Sequence, residues 1–197
     1  LGRVDIHVHS VKLISLHAEA FDAIWVTVHP IITTRPLVTE RVKLSASAPG
    51  GVLSIDFAES LELFPGAVGA RRLSAALASD VETDSVASFT LWGSGHGVDR
   101  GCPATAAEPL AGGTLSLKQL LSGGTDFVRS ALPLFSQRAE VAELSITFHA
   151  LHAIRAAMSG ASHHISAVAT GSALTQPIRD HPPKRPSAPR LSAELAM

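Results

Sequence analysis

The feature that most constrains the fold is the apolar run at residues 21–30, Phe-Asp-Ala-Ile-Trp-Val-Thr-Val-His-Pro. From Ile24 to Val28 it is mostly β-branched or aromatic, and it is too short for an ordinary helix. Such a run is typical of a strand buried on both faces, as in parallel sheets covered by helices. Pro30 lacks a backbone donor and restricts the residue before it, so the strand should end at His29. Because ligands of α/β folds lie at the carboxyl ends of strands, His29 is a candidate site residue.

Bulk composition predicts a single globular domain. The 197 residues are enough to bury one sizeable core, and 46% apolar against 17% charged residues excludes a wholly disordered chain. A net charge of −1 argues against a general nucleic-acid or anionic-membrane binder. Tyrosine is absent beside ten histidines, and a spurious or fragmentary chain would also have such an unusual composition.

The single cysteine, Cys102, limits the redox chemistry of the chain. It excludes an intrachain disulfide and a thiolate zinc cluster, and it fits a reducing compartment. No stretch approaches 18 uninterrupted apolar residues. We therefore expect a cytoplasmic protein with no membrane partner.

Apolar spacing predicts helices between the strands. Residues 3–9 alternate as a strand, and further strands are expected at 41–45 and 88–93. Residues 98–115, rich in Gly, Pro and Ala, are expected to form a loop. Helices are expected at 11–20, 56–64, 67–79 and 137–158, with shorter helical pieces at 117–121 and 126–132.

These elements predict an α/β fold, an incomplete or distorted β/α barrel with a C-terminal helical region. The domain should span residues 1–175. From residue 176 the character changes, because five prolines alternate with arginine and lysine. Residues 176–197 are therefore predicted to be a disordered, basic, Pro-rich tail.

The strongest chemical pattern is Asp5-Ile6-His7-Val8-His9. On a strand, Asp5, His7 and His9 point to one side, opposite the apolar residues. The Cα atoms of His7 and His9 would then lie about 7 Å apart, so both imidazoles could reach one divalent metal. Nitrogen and oxygen ligands suit zinc, manganese or iron.

The same segment resembles a known family. Residues 4–10 resemble the first motif of PHP-type metal-dependent phosphoesterases, residues 21–30 the second, and residues 93–96 a late motif, although Val28 and Gly95 replace aspartates. The resemblance implies clustered metal ions that polarise a small-molecule phosphate ester and generate hydroxide. It implies Asp5 as the residue that orients His7, and as metal ligands His7, His9, His29 and His96.

Two other resemblances compete with this one. Residues 18–27, 39–44 and 58–73 resemble the N-terminal third of luciferase-like flavin-dependent monooxygenases, which are also barrels. Residues 17–30 and 113–117 are similar to segments of tymovirus-type coat proteins, which are β jelly rolls and not enzymes. The sequence favours the metal-dependent hydrolase, with the monooxygenase and a structural protein as alternatives.

Overall fold

The computed structural model describes residues 2–16, 21–44, 51–95 and 107–159. Most regular structure in these ranges is β-strand. The strands are β1 (Gly2–Leu13), β2 (Phe21–His29), β3 (Leu37–Val38), β4 (Val42–Lys43), β5 (Val52–Leu63), β6 (Val86–Gly95), β7 (Ala107–Ser116), β8 (Phe127–Ser136) and β9 (Ala139–His149). The helices are α1 (Val68–Ala78), α2 (Leu117–Gly123) and α3, residues 151–159.

The strands form one antiparallel sheet that curls into a half-barrel of two facing layers. Their order is β3-β2-β6-β7-β8-β9-β1-β5, with β4 also paired to β2. Only Gly112 and Phe135 are paired between β7 and β8, so the sheet turns over at this seam. Layer A contains β2, β3, β4, β6 and β7, and layer B contains β1, β5, β8 and β9.

Alternate side chains of both layers meet in one apolar core. Burial alternates along β1, because Val4, Ile6 and Val8 are inside while their neighbours face outward. The same cluster receives side chains from β2, β6 and β9: Ile24, Val26, Val28, Ala87, Phe89, Leu91, Leu144, Ile146 and Phe148. The outer faces of the two layers are therefore separated by the full thickness of the core, about 10 Å between sheets.

The predicted α/β barrel is wrong, since every strand pairing in the described ranges is antiparallel. Residues 21–29 are a strand, as predicted, but its neighbours in these ranges are the antiparallel strands β3, β4 and β6. Trp25 is only 6% exposed because Trp92 stacks beside it and Arg41 lies over its ring. β2 is therefore buried on both faces, the feature that predicted a parallel sheet, because side chains of neighbouring strands and connections cover its outer face.

Several predicted helices are strands. Residues 56–64 lie largely in β5, residues 126–132 largely in β8, and residues 137–158 are β9 followed by α3. In β9 the core residues Ala142, Leu144, Ile146 and Phe148 recur at every second position, but Ala142 is small, which hid that period beside the larger residues at helical spacing. The predicted helix at 11–20 is also wrong at its start, because β1 continues to Leu13; residues 17–20 lie outside the described ranges.

Other element predictions are confirmed. The helices expected at 67–79 and 117–121 correspond to α1 and α2. The strand expected at 88–93 lies within β6, and the strand expected at 41–45 includes β4. The predicted loop at 98–115 is wrong from Ala107 onward, where β7 begins, and residues 98–106 lie outside the described ranges. The tail at 176–197 lies outside them too, so its boundary stays a prediction.

Phe89 tests the shared core. It is completely buried, and Phe89→Ala should lower the free energy of unfolding by about 3–5 kcal/mol, because it removes a large side chain and leaves a cavity. Phe135→Ala is the matched control, since Phe135 is 47% exposed at the seam and should cost about 1 kcal/mol or less. Equal losses for the two variants in urea denaturation would contradict the core described here.

Candidate functional site

Asp5, His7 and His9 lie on the outer face of layer B, between β5 and β9. The rings of His7 and His9 stack with centroids 5.9 Å apart. Nε2 of His9 shares a hydrogen bond of 2.9 Å with the hydroxyl of Thr147, the residue opposite His7 on β9. Strand alternation therefore brings the two predicted histidines together on a polar, half-exposed surface.

The carboxylate of Asp5 accepts hydrogen bonds from neighbouring residues on the outer face of layer B. Arg3 Nε donates to its carboxylate at 2.6 Å, and the hydroxyl of Ser60 on β5 donates to the same oxygen. Partial burial raises the pKa of Asp5. The hydrogen bonds from Ser60 and Arg3 and the nearby positive charge of Arg3 lower it by more than burial raises it, so the pKa of Asp5 lies below its ordinary value. The described hydrogen bonds of Asp5 thus go to Ser60 and Arg3, and none joins it to His7.

A third histidine, His149, shares this face, and sequence reasoning did not select it. It stands opposite Asp5 in the β1–β9 register, and its Nδ1 lies 3.4 Å from a carboxylate oxygen of Asp126. Because residues 137–158 were predicted to be one helix, the sequence did not place His149 beside β1. The alternation of buried residues in β9 is the signal that could have placed it here.

His29 lies on the other layer. It is exposed at the end of β2, where its neighbours Val28 and Pro30 are buried, so its side chain faces away from the core and away from layer B. His96 lies outside the described ranges. Within those ranges no three or more histidine, cysteine, aspartate or glutamate side chains are grouped to hold a metal. The predicted convergence with His29 is therefore wrong, whereas metal binding by His7 and His9 stays a prediction.

The outer face of layer A carries a different cluster. Trp25 and Trp92 stack almost parallel, with centroids 6.4 Å apart and an interplanar angle of 8°, and Trp92 Nε1 donates to Thr27 at 2.9 Å. The guanidinium carbon of Arg41 lies 4.5 Å from the centroid of the Trp25 ring, a cation–π contact. Lys43 and Val38 flank the pair opposite Ala23 and Thr27, and both are exposed. We call Trp25, Trp92, Arg41, Lys43 and Val38 the aromatic-cationic face.

Two concave spaces among the described residues have no ionisable residue in their lining. A cavity of about 10 Å³ lies between the layers at the end near α3 and is lined by apolar side chains such as Val4, Leu73 and Phe148. A groove of about 330 Å³ follows the seam and is lined by residues including Ser88, Thr90 and Phe135. Neither offers an acid, a base or a charged group for ester hydrolysis.

Comparisons with known proteins identify the fold. No family model matches the chain, and no curated protein matches it. The solved structure described as "CC2D1B coordinates ESRCT-III activity during the mitotic reformation of the nuclear envelope" is similar with a TM-score of 0.53 and 11% identity over 84% of this chain. The match spans 60% of that structure's length.

Two further similar structures are explicitly C2 domains. A "C2 domain-containing protein from putative elicitor-responsive gene" has a TM-score of 0.42 and 10% identity, covering 75% of this chain and 86% of that one. A C2 domain of plant Extended Synaptotagmin 1 has a TM-score of 0.43 and 10% identity, covering 75% and 92%. The chain has the β-sandwich fold of C2 domains. This assignment rests on the similarity with a TM-score of 0.53.

These comparisons correct the functional predictions. These three similar structures include neither PHP-type phosphoesterases nor luciferase-like monooxygenases, so both resemblances and the predicted hydrolase are wrong. No finding supports zinc, manganese or iron as the cofactor, and the predicted divalent cation stays a prediction. No helix in the described ranges is long and apolar enough to span a bilayer, and the cytoplasmic location stays a prediction.

Asp126 is the best test of the contacts around His149. Its carboxylate accepts the backbone N–H groups of Ala150 and Leu151, each at 2.8 Å, at the start of α3. At neutral pH, Asp126→Ala should lower the free energy of unfolding by about 1–2 kcal/mol. Asp80→Ala, in an exposed turn, is the control and should cost about 0.5 kcal/mol or less.

The pH dependence of this effect follows from the pKa of Asp126. Burial raises that pKa. The hydrogen bonds from the N–H groups of Leu151 and Ala150 and the neighbouring His149 lower it by more than burial raises it, so it lies below the ordinary value. The stabilisation is present above the unfolded-state pKa, about 3.9, and is lost as the pH falls through the lower folded-state pKa. The gap between wild type and Asp126→Ala should therefore shrink below about pH 4. A gap that widens on acidification would refute this role.

Proposed function

We propose that the chain is a non-catalytic binding module that docks on anionic lipid surfaces through the aromatic-cationic face, without Ca²⁺. One observation carries the proposal: Trp25 and Trp92 lie with Arg41 and Lys43 on the outside of the sheet, next to the exposed Val38. The C2-type fold supports a binding role, and the absence of ionisable groups from the described cavities argues against catalysis.

The chemistry of this face suits a membrane interface. Trp92, partly exposed beside the buried Trp25, suits the boundary between headgroups and acyl chains, because a tryptophan ring is apolar and its N–H is polar. Each arginine or lysine near an anionic leaflet contributes about 1 kcal/mol of attraction. Val38, 55% exposed, adds apolar surface that water solvates poorly. A net charge of −1 for the whole chain does not oppose this, because attraction depends on the local charges within about one Debye length.

The residues that the structure describes do not suit a Ca²⁺-dependent mode of binding. Ca²⁺ takes six to eight oxygen ligands, largely from carboxylates. The described residues contain no suitable group of acidic side chains. We therefore expect chelation of Ca²⁺ to leave binding unchanged.

Vesicle cosedimentation tests the proposal. The chain should pellet with phosphatidylserine–phosphatidylcholine vesicles in EDTA, should remain in solution with pure phosphatidylcholine, and should be released by added salt. Arg41→Gln/Lys43→Gln should weaken binding by about tenfold or more, because two charges near the surface are worth about 2 kcal/mol.

The matched control is Arg3→Gln/Lys12→Gln, which removes one arginine and one lysine from the outer face of layer B. It should bind vesicles like the wild type. Circular dichroism of each variant shows whether the sheet is intact. Equal weakening by the two double variants, or a requirement for Ca²⁺, would exclude the proposed surface.

A further inference from the structure

β5 is a twelve-residue strand at the edge of the sheet. It pairs with β1 on one side, and on its other side no strand of the described ranges pairs with it. The opposite end of the strand order is occupied by β3, which has two residues. A long edge exposes unpaired N–H and C=O groups, which proteins usually shorten, cover or protect with charge because another strand can pair with them.

The second half of β5 is the part of this edge that pairs regularly with β1. Asp56 has a φ of 47°, and the β1–β5 register shifts beside it, between Val8 and Ser10, so β5 bulges at this point. After the bulge, residues 57–63 pair without interruption with Gly2–Val8. We call residues 57–63 the edge segment.

The inward side of the edge segment is only partly covered by the core. Phe57, Glu59 and Leu61 are in register with Val8, Ile6 and Val4, so they face the same side as these core residues. The core residues are at most 2% exposed, but Phe57 and Leu61 are only partly buried and Glu59 is exposed. The edge segment therefore presents an apolar strip interrupted by one carboxylate.

The charge of this edge is of one sign. β5 contains Asp56, Glu59 and Glu62, all exposed, and no lysine or arginine. The nearest cation in register is Arg3, opposite Glu62, and its guanidinium donates to Asp5. A strand that adds to this edge would gain from lysine or arginine beside Glu59 and Glu62, since opposite charges on paired strands attract.

We propose that the edge segment binds an extended basic peptide from another protein as an added β-strand. Backbone hydrogen bonds to the edge supply affinity, apolar side chains of the peptide cover Phe57 and Leu61, and a basic side chain pairs with Glu59. The same carboxylates discriminate against a second copy of the chain, because two β5 strands would place like charges together. This surface is separate from the aromatic-cationic face, and the proposal does not depend on lipid binding.

The chain's own basic residues at 176–197 are less suitable occupants. That segment contains five prolines, at positions 177, 182, 183, 186 and 189. Each proline lacks the N–H group that a strand ladder needs. An uninterrupted strand from a partner fits the edge better.

Fluorescence anisotropy of the full chain with a labelled lysine–valine heptapeptide, Lys-Val-Thr-Lys-Thr-Val-Lys, tests this, because its second, fourth and sixth residues share one side of a strand. We expect saturable binding, loss of binding when its third residue, threonine, is replaced by proline, and slower amide hydrogen exchange at residues 57–63 in the complex. Glu59→Lys/Glu62→Lys should weaken binding of this peptide by about tenfold or more and should allow binding of the glutamate–valine counterpart.

Glu108→Lys/Glu140→Lys is the matched charge reversal, because both residues are exposed on other strands. It should leave peptide affinity unchanged. The proposal is overturned if the lysine–valine peptide fails to bind wild type, if both double variants lose the same affinity, or if the proline peptide binds as tightly. Protection by the chain's own residues without added peptide, or dimerisation through β5 in sedimentation equilibrium, would also overturn it.

Discussion

Burial of alternate side chains from both layers in one core is the constraint on which the rest of the structure depends. Ile6, Val8, Val28 and Ile146 are among its fully buried members. Each such side chain contributes about 1.5–3 kcal/mol on leaving water. A slip of one residue in any central strand would expose its apolar set and bury its polar set. The pairing register is therefore strongly specified, and it determines which residues can reach each outer face.

That constraint explains the separation of the histidines. His7 and His9 alternate with buried residues of β1, and His29 follows a buried residue of β2. Because both strands direct their apolar residues toward the same core, their polar residues face solvent on opposite sides of the molecule. A site that joins His7 with His29 would require the core to be absent between them. His149 lies opposite Asp5 on the same face as His7, since β9 is a direct neighbour of β1.

Sequence reasoning succeeded where the signal was local. The strand character of residues 21–29 and the alternation at residues 3–9 are properties of a few neighbouring residues, and so is the juxtaposition of His7 and His9. The pairing order of the strands depends on contacts between distant residues, and no local pattern encodes it. Helix predictions failed in β5 and β9, where a bulge at Asp56 and the small side chain of Ala142 disturb the two-residue period. The wrong helix then concealed His149.

The described surface offers three regions of different chemistry on one scaffold. The outer face of layer B is polar and rich in histidine, the aromatic-cationic face lies on layer A, and β5 provides an acidic edge. Folds of this kind carry function on surfaces and connections, so similarity of fold alone assigns none of these regions a ligand. The aromatic-cationic face and the edge segment can be occupied at the same time, because they belong to different layers. Together they would let one module join a lipid surface to a basic protein segment.

The most direct test of this account is the distance between residues 7 and 29. With Cys102 replaced by serine, His7→Cys/His29→Cys can be spin-labelled at both positions. Two sheets about 10 Å apart with labels on opposite outer faces should give an interspin distance beyond about 20 Å by electron paramagnetic resonance. Strong dipolar broadening from labels within about 10 Å, as a shared metal site requires, would contradict the two-layer arrangement.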